Sequence, residues 1–256
     1  MKVVLLAGGL GTRMREETEF RPKPMVKIGD HPILWHIMKN FSVTAHKEFI
    51  ICTGYRGDII SQFFSEFSTQ NLDFTVKIGR ESQITTHGKL DEEGWTVTVA
   101  NTGAETLTGG RLFAVKKYLE NETFICTYGD GLANVDIPAL IKFHKSHGKV
   151  ATLTTVKPPS RFGVLDIEPD GSVSRFREKP QTDGWINAGF FVFEPEIFNY
   201  LNPTSTLEQE PLNKLASENQ LMAFKHEDFW QPIDTYREIL LMNQLWESND
   251  APWKNW

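Results

Sequence analysis

Two kinds of apolar pattern alternate along the first 156 residues of the chain. Short runs of consecutive apolar residues are typical of buried strands, and apolar residues spaced three and four apart are typical of helices that pack on one face. The pattern predicts strands at 3–7, 49–54, 74–78, 96–100, 124–128 and 150–156, and helices at 33–41, 59–67, 110–119 and 138–144. This alternation predicts an α/β fold, a Rossmann-like three-layer arrangement around a mixed, mostly parallel sheet.

The pattern changes after Pro158 and Pro159. Strand-like runs at 164–167, 173–176 and 186–193 are separated by short turns, which predicts a small β-rich subregion. Helical patterns near 209–218 and 234–247 follow.

Composition and charge narrow the class of protein. The chain has 256 residues and a formal net charge of −6, which argues against a nucleic-acid partner. It contains no apolar run of the ~18 residues that a membrane helix needs, so no membrane partner is expected. Because Cys52 and Cys126 lie in apolar runs, we expect reduced, buried thiols and a cytoplasmic protein.

A glycine-rich turn follows the first predicted strand. Gly8, Gly9 and Gly11 would let backbone N–H groups approach a polyanion, with Arg13 close behind and Lys23 held between two prolines. Arg13 can bind a phosphate with its planar fork, and Lys23 can add a compact charge. The spacing fits neither a P-loop nor the dinucleotide fingerprint, whose third glycine would fall at Met14.

The stretch Leu6-Ala7-Gly8-Gly9-Leu10-Gly11-Thr12-Arg13, followed by Pro22-Lys23-Pro24-Met25, resembles the signature of the sugar-phosphate nucleotidyltransferases. These enzymes join a nucleoside triphosphate to a sugar 1-phosphate and release pyrophosphate. The resemblance implies that residues 6–13 bind the nucleotide, that Arg13 holds the β- and γ-phosphates and that Lys23 holds the α-phosphate. It therefore makes Arg13, Lys23 and Asp130 the expected catalytic residues.

The reaction of this family needs positioning and charge stabilisation more than proton transfer. A sugar phosphate has a second pKa of about 6, so the nucleophile is already ionised near neutral pH. By the resemblance, Asp130 and Asp234 hold Mg²⁺, and Gly129 contacts the nucleotide. Two alternatives stay open: Asp130 could be an ordinary turn residue, and Asp234 could be the N-cap of the last helix, alone or in addition.

The sugar side shows two further motifs. Glu178-Lys179-Pro180 resembles the family segment whose lysine meets the sugar phosphate, and Asn187-Ala188-Gly189 resembles a turn that binds sugar hydroxyls. Glu178, Lys179 and Asn187 are thus the expected sugar-phosphate-binding residues. We expect one domain over residues 1–256, with a nucleotide-binding half at about 1–157, a sugar-phosphate-binding part at about 158–235 and a C-terminal helix and tail at 236–256.

Two segments bear on the choice of base. Glu17 and the segment Thr106-Leu107-Thr108-Gly109-Gly110-Arg111-Leu112 depart from the pattern of thymidine- and uridine-using members. They resemble a branch that makes CDP-glucose from CTP and glucose 1-phosphate for the dideoxyhexoses of bacterial surface polysaccharide. Arg111 and Thr106 are then expected at the cytosine, although an ordinary arginine at a helix start is an alternative. The branch also implies a homo-oligomer, a hexamer.

Other functions remain open on the sequence. The same chemistry with UTP or dTTP, a non-catalytic sugar-nucleotide-binding homologue, and a nicotinamide oxidoreductase are alternatives.

Two further predictions concern a pair of histidines and the two C-terminal tryptophans. His144 and His147 read as a solvated surface pair rather than a zinc site, since the spacing lacks the usual glutamate. Trp253 and Trp256 are covered either by a partner or by the chain's own surface.

Overall fold

The structure, a computed structural model, describes residues 1–9, 11, 14, 18–79, 83–90, 92, 94–159, 162–178, 181 and 184–256. The strands are β1 (Val3–Ala7), β2 (Lys27–Ile28), β3 (His31–Pro32), β4 (Glu48–Thr53), β5 (Asp73–Lys77), β6 (Gln83–His87), β7 (Thr96–Asn101), β8 (Phe124–Tyr128), β9 (Gly131–Ala133), β10 (Ala151–Val156), β11 (Val164–Ile167), β12 (Val173–Arg177), β13 (Ile186–Phe193), β14 (Leu221–Lys225) and β15 (Trp230–Pro232). The α-helices are α1 (Ile33–Ser42), α2 (Gly57–Ser65), α3 (Phe67–Asn71), α4 (Thr108–Ala114), α5 (Ile137–His147), α6 (Glu210–Ser217) and α7 (Tyr236–Glu247). Short 3₁₀ helices span Lys23–Met25, Lys116–Tyr118 and Pro195–Asn199.

Seven strands form the central sheet in the order β14-β10-β13-β8-β1-β4-β7. The pairings of β1 with β4 and β8, of β4 with β7 and of β10 with β14 are parallel. Only β13 among these seven runs antiparallel to its neighbours, β8 and β10. The predicted fold class, a mixed and mostly parallel three-layer sheet, is therefore confirmed.

The two faces of the sheet carry separate hydrophobic cores. In β1, Val3 and Leu5 belong to one core, and Val4 and Leu6 belong to the other, as the side-chain period of a strand requires. Residues from α1, α5 and α7 join the first core, and residues from α4 and α6 join the second. Continuous apolar runs in the sequence thus report strands that are covered on both faces.

The sequence did not predict which sheet several of the strands belong to. The predicted strand at 74–78 forms a separate exposed hairpin of β5 and β6. The hairpin of β11 and β12 also stands apart, whereas β13 lies inside the main sheet. Strand β14 was not predicted, because its half-buried residues at the sheet edge form only a short mixed run.

The expectation of a solvated pair at His144 and His147 is wrong for His144. This side chain is 1% exposed, because it lies on the inward stripe of α5. Its Nδ1 lies 2.8 Å from Thr152 Oγ1, and its Nε2 lies 3.0 Å from Glu194 Oε1.

Among the described parts of the chain, no group of three or more potential metal-binding side chains is found, and no helix is both long and apolar enough to cross a membrane.

The C-terminal tail docks on the chain's own surface. Trp253 is fully buried, and its Nε1 lies 3.4 Å from His36 Nδ1. His36 Nε2 lies 2.9 Å from the carbonyl oxygen of Ile28, so the ring is neutral with Nε2 protonated and Nδ1 as acceptor. Burial lowers the pKa of His36 to about 4.

We expect His36 to make the protein less stable in acid. Between pH ~6.5 and pH ~4 the unfolded chain binds a proton at His36 and the folded chain does not, so the free energy of unfolding falls as the pH falls, by roughly 3 kcal/mol over this window. Urea unfolding of the wild type and of His36→Gln at several pH values measures this difference. The exposed His87, changed to Gln, serves as the control. Equal pH dependence in the wild type and His36→Gln would contradict the assignment.

Candidate active site

A pocket with a volume of about 530 Å³ opens where β1 ends. It lies at the carboxyl ends of parallel strands, where ligands bind in open α/β sheets. Its lining residues are Leu6, Ala7, Gly8, Gly9, Gly11, Met14, Lys23, Pro24, Ala104, Glu105, Thr106, Leu107, Thr108, Arg111, Tyr128, Asp130, Thr206 and Asp234. The pocket thus brings together the glycine turn, the lysine, both predicted metal aspartates and the predicted base-side segment.

The glycines of the turn have different roles. Among the residues that the structure describes, none would lie within 4 Å of a Cβ on Gly9, which leaves room for a ligand beside its backbone. A Cβ on Gly8 would lie 2.1 Å from Arg111 Nη1, so this glycine makes room for the guanidinium. Gly11 has φ +61°, a conformation that favours glycine. Leu10, Thr12 and Arg13 lie outside the described residues.

Lys23 lies at the centre of the charged groups in the pocket. Its Nζ lies 2.8 Å from Asp130 Oδ2 and 2.7 Å from Asp234 Oδ1, and the residue is only 8% exposed. Burial disfavours the ammonium, but the two carboxylates outweigh burial and raise the pKa of Lys23. Pro22 and Pro24 flank the lysine in a 3₁₀ turn, which fixes its backbone. Lys23 therefore stays charged in the pocket wall.

A short antiparallel pairing brings the two aspartates together. Strand β9 pairs with β15 so that Gly131 is opposite Pro232, and the backbone N–H of Ile233 donates to the carbonyl oxygen of Asp130 at 2.9 Å. Asp130 precedes β9 and Asp234 follows β15, so both carboxylates emerge at the same end of this pair. Residues that are 104 positions apart in the chain thereby share one lysine.

Asp234 does not act as the helix cap that the sequence left open. The N-cap of α7 is Thr235, which forms a capping box with Glu238. Glu238 Oε2 also accepts the backbone N–H of Asp234 at 2.5 Å. The carboxylate of Asp234 therefore contacts Lys23 in the pocket, while its backbone N–H is bound by Glu238 in the first turn of α7.

The two carboxylates suit a magnesium ion in their chemistry. Lys23, Asp130 and Asp234 together carry a formal charge of −1, so the cluster attracts a further cation. Mg²⁺ typically takes one or two carboxylates, several waters and substrate phosphates. Because no third potential metal-binding side chain joins them among the described residues, phosphate oxygens and water would have to complete the coordination.

Arg111 connects the ends of three neighbouring strands. Its terminal nitrogens donate to the carbonyl oxygens of Gly8, Thr53, Gly103 and Ala104 at 2.7–3.2 Å, and to Thr102 Oγ1 at 2.8 Å. Gly8 follows β1, Thr53 ends β4 and Thr102 follows β7. Arg111 is 4% exposed and still borders the pocket, as does Thr106. Recognition of the base by these two residues stays a prediction.

The sugar-side residues are separated from this pocket. Asn187 lines a neighbouring pocket of about 90 Å³, which shares Tyr128 and Asp130 with the larger one. Glu178 follows β12 beside Gly163 and lines neither pocket as described. Gly129 is buried under the glycine turn, with its N–H donating to the carbonyl oxygen of Leu6 at 3.1 Å. Lys179 lies outside the described residues.

The sequence did not point to several lining residues. Tyr128 precedes the flagged Gly129 and Asp130 but carried no motif of its own, and Thr206 follows no recognisable pattern. Glu105 directly precedes the base-side segment that begins at Thr106, and this proximity was the available signal; Leu107 and Thr108 belong to that segment.

The geometry defines an α/β protein whose pocket at the carboxyl edge of the sheet gathers a glycine turn, a buried ammonium and two carboxylates. The nucleotidyl transferase family profile matches residues 2–248, so the chain belongs to the nucleotidyl transferase family. It is 51% identical over 259 residues to the glucose-1-phosphate cytidylyltransferases of Salmonella typhi and Salmonella typhimurium, with all of both chains covered. The structure of HddC from Yersinia pseudotuberculosis has the same fold, with a TM-score of 0.69, 24% identity and coverage of 96% of this chain and 99% of that chain.

We expect Thr235→Ala to lower the free energy of unfolding by about 1 kcal/mol, because α7 loses its capping box. Chemical denaturation measures the change. Thr204→Ala, at an exposed position away from α7, is the matched control and should stay within about 0.5 kcal/mol of the wild type. A Thr235→Ala protein as stable as the wild type would show that the capping box does not hold the helix that follows Asp234.

Proposed function

We propose that this protein transfers a cytidylyl group from CTP to α-D-glucose 1-phosphate, which gives CDP-glucose and pyrophosphate. The observation that carries the proposal is the full-length 51% identity to proteins named for this activity. The pocket supports it, because a buried ammonium, an open glycine backbone and two converging carboxylates suit a triphosphate with a bound metal ion.

In the proposed reaction the sugar phosphate attacks the α-phosphorus in line with the departing pyrophosphate. A phosphate oxygen forms a new bond to phosphorus, and the bond between the α-phosphorus and its bridging oxygen breaks. Lys23 stabilises the charge at the α-phosphate, and residues 6–13 bind the triphosphate with Arg13 at its outer phosphates. Since the nucleophile is already ionised, positioning and charge stabilisation supply the catalysis.

Asp130 and Asp234 are the proposed ligands of Mg²⁺. When bound, the ion would neutralise phosphate charge and help to orient the triphosphate. The support is the convergence of both carboxylates on one point, 2.8 and 2.7 Å from Lys23 Nζ.

The sugar half of the site is proposed on the far side of Tyr128. Asn187 lines the smaller pocket there and would bind sugar hydroxyls, while Glu178 and Lys179 would meet the sugar phosphate. The division into a nucleotide-binding half and a sugar-phosphate-binding part is part of the same proposal. The cytoplasmic location and the hexamer stay predictions.

We expect CTP to be used far better than dTTP or UTP with glucose 1-phosphate. The reason is that Glu17 and the segment Thr106–Leu112 depart from the pattern of thymidine- and uridine-using members, and that Thr106, Leu107, Thr108 and Arg111 of this segment line the pocket. Pyrophosphate release from a matrix of nucleoside triphosphates and sugar 1-phosphates measures the specificity constants. Equal constants for CTP and dTTP would contradict the assignment of the base, and no turnover with any pair would favour a non-catalytic homologue.

Removal of divalent metal should abolish turnover, because the two carboxylates then leave a net negative wall facing the triphosphate. Activity is measured in excess chelator and again after Mg²⁺ is restored. Full activity in chelator would refute the metal site.

Lys23→Met and Lys179→Met should fail in different ways. Loss of the cation at the α-phosphate should lower kcat by roughly 10²–10³, equivalent to about 3–4 kcal/mol. Loss of Lys179 should mainly raise KM for glucose 1-phosphate and leave KM for CTP nearly unchanged, with some loss of kcat through misorientation. Lys27→Met, at an exposed lysine of β2, is the control.

Steady-state kinetics with each substrate varied in turn separates these effects. If Lys179→Met weakened CTP alone, the sugar-side assignment of residues 178–180 would be wrong.

A further inference from the structure

Tyr128 forms the boundary between the two pockets. It is the last residue of β8, and it lines both the 530 Å³ pocket and the 90 Å³ pocket. Its ring packs edge-to-face on Phe191, with ring centroids 5.8 Å apart. A Cβ on Gly189 would lie 2.3 Å from Tyr128 Cδ2, so the glycine of the Asn187-Ala188-Gly189 turn makes room for this ring. These contacts fix the ring beside both pockets.

The Tyr128 hydroxyl has a partner on each side of that boundary. It donates a hydrogen bond to Glu208 Oε1, and it accepts one from Asn187 Nδ2 at 3.4 Å. The other end of the Asn187 amide is also held, because its Oδ1 accepts the backbone N–H of Gly189 at 2.8 Å. This second bond defines which end of the amide faces the tyrosine. Two bonds thus orient the Asn187 amide beside the smaller pocket.

Glu208 links this group to the nucleotide side. Its Oε2 accepts a hydrogen bond from Thr108 Oγ1 at 2.6 Å, and Thr108 begins α4 and lines the larger pocket. Thr108 Oγ1 in turn accepts the backbone N–H of Leu207 at 3.0 Å. A continuous hydrogen-bond chain therefore runs Thr108–Glu208–Tyr128–Asn187, from one pocket to the other.

We propose that Tyr128 is a positioning residue for the sugar half of the reaction: its hydroxyl, held by Glu208, orients Asn187 toward the sugar and ties that orientation to the nucleotide wall at Thr108. The choice of CDP-glucose as the sugar nucleotide rests on the proposed function. Tyr128 acts through Asn187, whose second amide N–H remains for a sugar oxygen.

The consequence is a selective loss when the hydroxyl is removed. Tyr128→Phe keeps the ring and its packing, but it removes the acceptor that fixes Asn187. On the proposed function, CDP-glucose would contact both pockets, whereas CDP would contact only the larger one. We expect Tyr128→Phe to bind CDP-glucose about tenfold more weakly, the usual value of one hydrogen bond, and to bind CDP within about twofold of the wild type.

The test is calorimetric titration of CDP-glucose and of CDP into the wild type and the variants, so that no turnover is needed. Tyr200→Phe is the matched control, because Tyr200 also donates to a glutamate, Glu218 at 2.7 Å, on an exposed surface away from both pockets. It should bind both ligands like the wild type. Glu208→Ala removes the partner of both Tyr128 and Thr108, so we expect it to weaken CDP-glucose and also CDP.

A double-mutant cycle separates positioning from a general structural effect. If Tyr128 acts through Asn187, then Tyr128→Phe added to Asn187→Ala should cost less than twofold further affinity for CDP-glucose, although each single change costs about tenfold. Additive losses in the double variant would overturn the proposal. So would a Tyr128→Phe protein that binds CDP-glucose like the wild type, or one that loses CDP and CDP-glucose equally.

Turnover of CTP with glucose 1-phosphate by the wild type tests the proposed function separately. If the wild type makes a different sugar nucleotide, then the proposed function is wrong about either the base or the sugar. The same five variants are then tested with that product and its nucleoside diphosphate, and the same outcomes support or overturn the role of Tyr128.

Discussion

The contact between the Lys23 ammonium and the two carboxylates of Asp130 and Asp234 determines how the site is built. One buried cation is shared by two anions at 2.8 and 2.7 Å, and the three groups come from a proline-flanked turn, a strand end and the start of a helix. Removing the lysine would leave two carboxylates facing each other in a partly buried place, and such uncompensated charge is costly. Conversely, the excess negative charge gives the cluster a reason to take up a cation with its substrate.

A second buried cation organises the opposite wall of the pocket. Arg111 takes its acceptors from the backbone at the ends of β1, β4 and β7, so the guanidinium holds three neighbouring strand ends and the following loop together. Gly8 and Gly54 lack the side chains that would collide with it, since a Cβ would approach Arg111 Nη1 to 2.1 and 2.6 Å. Gly8, next to the strand, therefore has a packing role, whereas a Cβ on Gly9 would meet none of the described residues within 4 Å. Arg111 thus holds the strand ends together. Lys23 contacts the two carboxylates and has the proposed role at the α-phosphate.

The sequence predicted features that depend on local pattern. The buried strands and the amphipathic helices follow from apolar spacing, and the pocket gathers Lys23, Asp130 and Asp234 as the motifs implied. Features set by contacts between distant segments were missed. The three-residue pairing of β9 with β15 has too few residues to show a period, and Pro232 argues against a strand. The burial of His144 was missed and the docking of Trp253 was left as one of two alternatives, because both depend on partners far away in the chain, namely Glu194 and His36. Tyr128 has no motif, and its place between two pockets is visible only in the fold.

The most direct test of this account is a titration of the Lys23 side chain by NMR, with isotope-labelled lysine and the signal assigned from Lys23→Met. The account predicts a pKa above the ordinary 10.5, because the two carboxylates outweigh burial, and a lower pKa in Asp130→Asn, where one of them is gone. A Lys23 pKa at or below 10.5 in the wild type, unmoved by Asp130→Asn, would contradict the claim that this shared cation organises the site.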